Sequence, residues 1–171
     1  NSYKTNSIYG PINLTSAQIA AAVNITYNVN DMPGGWIPLL NAIAREESGN
    51  NPNAIGDNGK AVGILQMWPV VVDDVNQIGY HYSRRDRLDP NKCAEMFLIQ
   101  MKHYSSRINN DYQKAQRIWG GGPGAVYFNP TNKNSEMYYW NSYTWAKVVR
   151  ELNYPSMGDA FDINGKYQLG K

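Results

Sequence analysis

Several features that would assign a function quickly are missing from this chain. It has one cysteine, Cys93, so an internal disulfide is excluded and cysteine usage leaves the compartment open. Its 2 histidines, His81 and His103, do not fall with that cysteine at any metal-ligand spacing, and no cofactor is expected. No stretch approaches the ~20 apolar residues of a membrane-spanning helix. Lysines and arginines form no block, which argues against nucleic acid, while the net charge of +2 suits contact with anionic polymers without demanding it. No internal repeat is visible. The opening residues, NSYKTNSIYG, lack the basic start and apolar centre of a signal peptide. Export is therefore expected either after removal of a leader or by another route, as for a phage-encoded protein. Phenylalanine is scarce, at 3 residues against 13 tyrosines and 5 tryptophans. That skew favours rings with a polar edge, which can stack on sugar faces while O–H or N–H groups reach hydroxyls. For most of them an ordinary core or surface place is the simpler account.

What is present describes a globular chain. At 171 residues, 42% hydrophobic and 18% charged, it can build one sizeable core rather than two. Thr15-x-x-Gln18 is a capping box for a helix to about Val23, and residues 27 to 31 are ambiguous. Pro33-Gly34-Gly35 breaks the chain before a helix over 36 to 48, with Pro38 in its first turn. Pro69 opens a helix to about Gly79, a polar loop follows to Leu88, and Asp89-Pro90 caps a helix to about 107. Cys93, Met96, Phe97 and Met101 share one side of that helix, so Cys93 reads as core rather than nucleophile. A short helix over 110 to 119 ends in Gly120-Gly121-Gly122, an aromatic-rich helix spans 135 to 152, and from Asn153 an extended tail wraps the domain or links to something else.

The stretch from 42 to 67, AIAREESGNNPNAIGDNGKAVGILQM, has the layout of a site. On a helical wheel Trp36, Leu39, Leu40 and Ile43 form one apolar face, with Glu47 roughly 30° from its centre and Glu46 about 70° away. Arg45 points to the opposite side. Glu47 is thus expected to aim inward, where burial raises a carboxyl's pKa and keeps it protonated as a general acid must be. A mere capping or bridging role is an equal rival on wheel position alone. The polar loop that follows reads as a turn and then, at Gly56-Asp57-Asn58-Gly59, a tight hairpin. The glycines at 120 to 122 lack the lysine and preceding strand of a phosphate loop, and read as backbone brought close to a ligand, or a hinge.

These residues carry a resemblance. Glu47-Ser48, Asn51-Pro52-Asn53-Ala54 and Gly63-Ile64-Leu65-Gln66 resemble the E-S, N-P-x-A and G-L-M-Q signatures of soluble lytic transglycosylase domains. Gly56-Asp57-x-Gly59 through Gln66 looks like the corresponding loop of goose-type lysozymes, of the same lysozyme-like superfamily. Downstream, Arg117-Ile118-Trp119-Gly120-Gly121-Gly122-Pro123 is similar to the R-I-W-N-G-G-P variant of bacterial and phage domains, and SEMYYWNSYTWAKV to that group's S-x-x-x-Y-W segment with its K-V. The matches run in order from about 36 to 150.

The resemblance implies an α+β, mostly α, lysozyme-like fold with a small β-hairpin beside a saccharide cleft. Residues 1–35 would form an arm and helix packed on a catalytic domain over 36–152, with a tail over 153–171. It implies cleavage of the β-1,4 bond between N-acetylmuramic acid and N-acetylglucosamine in peptidoglycan. Glu47 would be general acid and then base, drawing the proton from the muramic 6-hydroxyl as an anhydro ring closes. Ser48, Gln66, Met67, Trp119, Gly120, Gly121 and Tyr139 would contact substrate. One alternative is a hydrolytic muramidase with Asp57 as second carboxylate, although a Gly-Asp-Asn-Gly turn wants an aspartate for its own geometry. Another is a non-catalytic wall-binding or virion module. The expected partner is the glycan strand, met by a monomer outside the cytoplasm or on a virion. An amide at 46 is expected to be mild and one at 47 fatal. Gly120, where the family has asparagine, is expected to tolerate that residue if its backbone does not need a positive φ.

Overall fold

In the computed structural model residues 14–127 and 136–170 are described, without the side chains of 126, 127 and 136–139. The arm expected over 1–13 and most of the loop expected over 127–134 lie outside them. Helix α1 (Ser16–Val23) opens on the expected capping box, Gln18 N donating to Thr15 Oγ1 at 3.1 Å and Thr15 N to Gln18 Oε1 at 2.8 Å. Helix α2 (Ile37–Ser48) carries Pro38 in its first turn, where the missing N–H costs nothing, and ends at Gly49 with φ 62°. Strands β1 (Ile55–Gly56) and β2 (Ala61–Val62) pair antiparallel, Ile55 opposite Val62. Their turn runs through Asp57, Asn58 and Gly59 at φ 51°, 55° and 88°. The side-chain carbonyls of Asp and Asn make that left-handed region tolerable, which is the turn chemistry the sequence announces.

Helix α3 (Pro69–Gln77) forms despite three consecutive valines, because Val72 and Val75 are buried and their packing outweighs the lost rotamer freedom. A short 3-10 turn (Arg84–Leu88) lies within the expected polar loop, and Asp89 caps α4 (Pro90–His103). The sequence reading ran this helix to 107. Instead it breaks at Tyr104, whose hydroxyl donates to Asp74 of α3, and a short α5 (Ser105–Ile108) restarts. Then come α6 (Tyr112–Gly121), a 3-10 turn (Pro123–Tyr127) and α7 (Glu136–Asn153).

Helix α7 crosses both α2 and α1. Leu39, Leu40, Phe97, Tyr112 and Trp145 are sealed from solvent in the resulting core, with Cys93 among them. Burial pushes the Cys93 thiol up to about 12, so it is a packing residue as expected. Trp145 Nε1 reaches across to Ala22 O at 2.9 Å and ties α1 down. The mostly helical architecture with one small hairpin is the lysozyme-like α+β class the sequence implied.

The described residues after α7, 154–170, have no helix, yet they do not trail away. Ala160 and Phe161 are buried, and the Asn41 side chain pairs with both the N–H and the carbonyl of Phe161, at 2.9 and 3.0 Å. This segment corrects the wheel. Arg45 was assigned to the side of α2 away from the apolar stripe, but that side is covered too. Its Nε lies 3.0 Å from Glu151 Oε2 and its Nη1 2.6 Å from Asp159 Oδ1. A wheel assumes one covered face, and here a second layer of chain covers the other.

Candidate active site

The wall of the site is built by backbone bonds that the loop's side chains make. Ser48 is fully buried; its Oγ donates to Ile64 O at 2.7 Å and accepts from Asn51 N at 3.1 Å. Ser48 therefore locks the end of α2 to the apolar segment behind the hairpin and does not reach the cleft, a correction to its expected contact with substrate. Gln66 sits at φ 48° and its Nε2 donates to Ala54 O and Gly63 O, both at 3.0 Å. Those bonds hold the hairpin closed, while the residue still faces the cleft. Gly63 cannot be replaced: at φ 85°, a Cβ there would lie 1.8 Å from Arg87 O. The Arg87 guanidinium in turn braces the residues flanking β2 through Lys60 O at 2.9 Å and Met67 O at 2.8 Å.

Against this wall lies a cleft of about 440 Å³. Glu47, Asp57, Gln66 and Met67 line it, together with Trp119 and Gly120 to Gly122. Of the residues expected at the site, these come together. Tyr139 falls within α7, but its side chain lies outside the described ones. Trp119 packs edge-on to Phe97, their centroids 5.2 Å apart, which fixes the plane of its ring.

Glu47 is half-buried at the cleft. Burial holds its carboxyl well above the usual carboxylate range, and the negative charge of Glu46 raises it further. Lys147 opposes this, while a hydrogen bond with Glu46 and the charge of Asp57 add to it. Glu46 is the more deeply buried of the two, at 3% exposure, with Oε1 2.6 Å from Lys147 Nζ. The wheel had them the other way round, with Glu46 at the stripe's border. The helix turns its second covered edge toward α7, and Lys147 there gives Glu46 a partner that lets a carboxylate be buried. Burial works against the charge of Lys147, but its contact with Glu46 prevails and its pKa stands above the ordinary lysine value.

Asp57 has a structural tie as well as a place on the cleft, its Oδ2 accepting from Trp68 Nε1 at 3.0 Å. Two glycines of the cluster differ. A Cβ on Gly121 would lie 2.5 Å from Trp140 Cζ3 and 2.9 Å from Ala125 Cβ, so close approach dictates glycine. A Cβ on Gly120, in the helical backbone of α6, would meet Trp140 and Gln116 at 3.3 Å, which is tight but not closed.

Sequence reasoning missed Lys147, Trp68, Trp140 and the group Asp74–Gln100–Tyr104, in which both Gln100 Nε2 and Tyr104 OH donate to Asp74 Oδ2 at 2.9 Å. Lys147 did leave a signal: a lone cation between Trp145-Ala146 and Val148-Val149, where an amphipathic helix would keep an apolar residue. Trp140 is the tryptophan of the S-x-x-x-Y-W segment, though no place at the site was expected for it, and no comparable signal marks Trp68. Among the described residues no group of His, Cys, Asp and Glu is arranged to hold a metal ion, and no helix is long and apolar enough to cross a membrane. Chemically, the arrangement offers a carboxyl whose burial favours the protonated form, on an indole-lined cleft, the kind of group that gives a proton to a leaving oxygen and takes one back.

A family model described as the transglycosylase SLT domain matches residues 26–139, more than half of the chain. The match begins ahead of Trp36 and ends within α7, short of Lys147. No curated protein and no solved structure gives a significant match.

Proposed function

The chain belongs to the transglycosylase SLT domain family, whose members break glycosidic bonds in peptidoglycan, and from that premise we propose a one-acid lytic transglycosylase with Glu47 as its catalytic residue. The substrate is the glycan strand, cut at the β-1,4 bond between N-acetylmuramic acid and N-acetylglucosamine. Glu47 protonates the leaving oxygen. As carboxylate it then draws the proton from the muramic 6-hydroxyl, and the anhydro ring closes without water. Met67, Trp119 and the backbone of Gly120 to Gly122 hold the sugars against it. The enzyme works as a monomer where the wall is, outside the cytoplasm or on a virion.

The observation that carries this reading is the half-buried carboxyl of Glu47 on the cleft, its pKa raised above the carboxylate range. A desolvated acid of that kind can be protonated near neutrality, and a module that only binds wall has no use for one. The second reading, a muramidase that activates water on Asp57, is favoured by the presence of Asp57 on the same cleft and by its charge acting on Glu47. Against it stands the Trp68–Asp57 bond, which gives the aspartate work in the turn. Mass spectrometry of digested cell walls tests the choice. Anhydromuramic ends support the transglycosylase; products one water heavier, with free reducing ends, support the hydrolase.

A further inference from the structure

Helix α3 gives the cleft of Glu47 three lining residues, Val70, Val71 and Asp74, at the spacing of one helix face. Among the described residues no lysine, arginine or histidine lines that cleft, and no ion pair includes Asp74. The partners of Asp74 are neutral: Gln100 Nε2 donates to Oδ2 at 2.9 Å, and the Tyr104 hydroxyl is shared between Oδ1 at 3.0 Å and Oδ2 at 2.9 Å. Gln100, itself 3% exposed, lines the same cleft, and its Oε1 has no hydrogen-bond partner. Thr144 of α7 lines it as well, at 5% exposure, with its Oγ1 equally unmet. Buried polar atoms in folded proteins are nearly always met, by protein, water or ligand.

The two oxygens of an aspartate offer about four acceptor sites, and the protein brings two donors to them. The remaining sites are left to water or to a ligand in the cleft. A tie between α3 and α4 alone would need neither the spare acceptor capacity nor a place on the cleft wall. What fits there is a hydrogen-bond donor without negative charge, since an anionic group would meet acceptors and no cation. Sugars carry such donors, hydroxyls and acetamido N–H groups, on the edges of rings whose faces suit the indoles of Trp68, Trp119 and Trp140 on the same cleft. We propose that Asp74, held by Gln100 and Tyr104, is a substrate-binding residue that accepts a hydrogen bond from a hydroxyl or acetamido N–H of the glycan strand. This rests on the reading of the cleft as the glycan site and of Glu47 as the acid. Asp74 moves no proton at the reacting bond; it sets affinity for the strand.

The test is the binding of peptidoglycan glycan strands stripped of their stem peptides, so that only sugar groups are there to donate. The parent is Glu47→Gln, which keeps the cleft without cutting, and the signal is the emission of the tryptophans that line it. Glu47→Gln/Asp74→Asn puts an amide nitrogen where one acceptor oxygen stood. It spares the tie between the helices, because the unmet Oε1 of Gln100 can turn to accept from that nitrogen while Tyr104 still donates to the remaining oxygen. Affinity is expected to fall roughly tenfold, about the worth of one hydrogen bond lost with its partner left unpaired, at a melting temperature close to the parent's. A folded double variant of parental affinity overturns the proposal and leaves Asp74 a tie between helices. If that variant does not fold, Glu47→Gln/Asp74→Ser decides alone: weaker binding upholds the proposal and equal binding overturns it. A parent that binds no strands overturns the subsite together with the reading of the cleft beneath it. Should the parent cut the strands, it is the acid that is misassigned, a distinct failure, and the affinities of parent and variant still decide on Asp74.

Discussion

Two successive residues of α2, Arg45 and Glu46, each bury a charge against α7, and the two burials serve different ends. Arg45 pairs with Glu151 and reaches Asp159 in the C-terminal segment, on the side of the helix away from the cleft. Glu46 pairs with Lys147, one helical turn earlier on α7, and stands next to the acid. The first network fastens chain to chain; the second lies one residue from the proposed acid. A buried ion pair tells little until it is asked what else its members touch.

Two substitutions sharpen that contrast. The largest expected effect is at the acid itself: Glu47→Gln lowers wall lysis by about two to four orders of magnitude, the usual contribution of a general acid, with the melting temperature unchanged or raised. Turbidity of a cell-wall suspension measures the first and calorimetry the second. Arg45→Met should do the reverse. It leaves Glu151 buried without its main partner, which costs about 3–5 kcal/mol, or on the order of 10 °C in melting temperature for a domain of this size. The folded remainder keeps a wild-type pH profile. If Arg45→Met shifted the alkaline limb of that profile, the Arg45 network would not be separate from the acid.

A smaller contrast of the same kind divides adjacent glycines. Gly121→Ala presses a methyl against Trp140 and Ala125, and a cost of about 1–3 kcal/mol is expected together with a misplaced indole at the cleft. Gly120→Asn meets Trp140 and Gln116 at 3.3 Å on a helical backbone, so it should fold with a cost of under about 1 kcal/mol and retain turnover. Denaturant unfolding ranks the two. Equal destabilisation would mean that the wall of Trp140 yields.

What could be read from the sequence was local. The capping box at Thr15, the left-handed turn at Asp57 to Gly59 and the N-cap at Asp89 are each decided within four residues. The order of motifs from Glu47 to Trp119 carried the fold class and the cleft walls. What could not be read joins distant chain. Phe161 meets Asn41 across 120 residues, and nothing in a stretch of prolines and glycines says which helix it will cover. That unseen layer is why the wheel left Arg45 in solvent. Ser48 was misassigned for the opposite reason: its motif is real, but the residue's part in it is to fasten Ile64 O, which only the hairpin's position reveals.

The smallest expected effect is at Asp57, and it bears on the product. If the aspartate activates water, Asp57→Asn removes the base and lysis falls as far as in Glu47→Gln. If it serves the turn, the amide keeps the left-handed backbone, which asparagine tolerates as readily, and its remaining oxygen still accepts from Trp68 Nε1. Its charge also raises the pKa of Glu47, so neutralising it moves the alkaline limb slightly to lower pH. The expected variant therefore retains most activity near its optimum, loses a few-fold above it, and releases the same anhydromuramic ends as wild type. An inactive Asp57→Asn, with reducing ends in the wild-type digest, would make this cleft a hydrolase's.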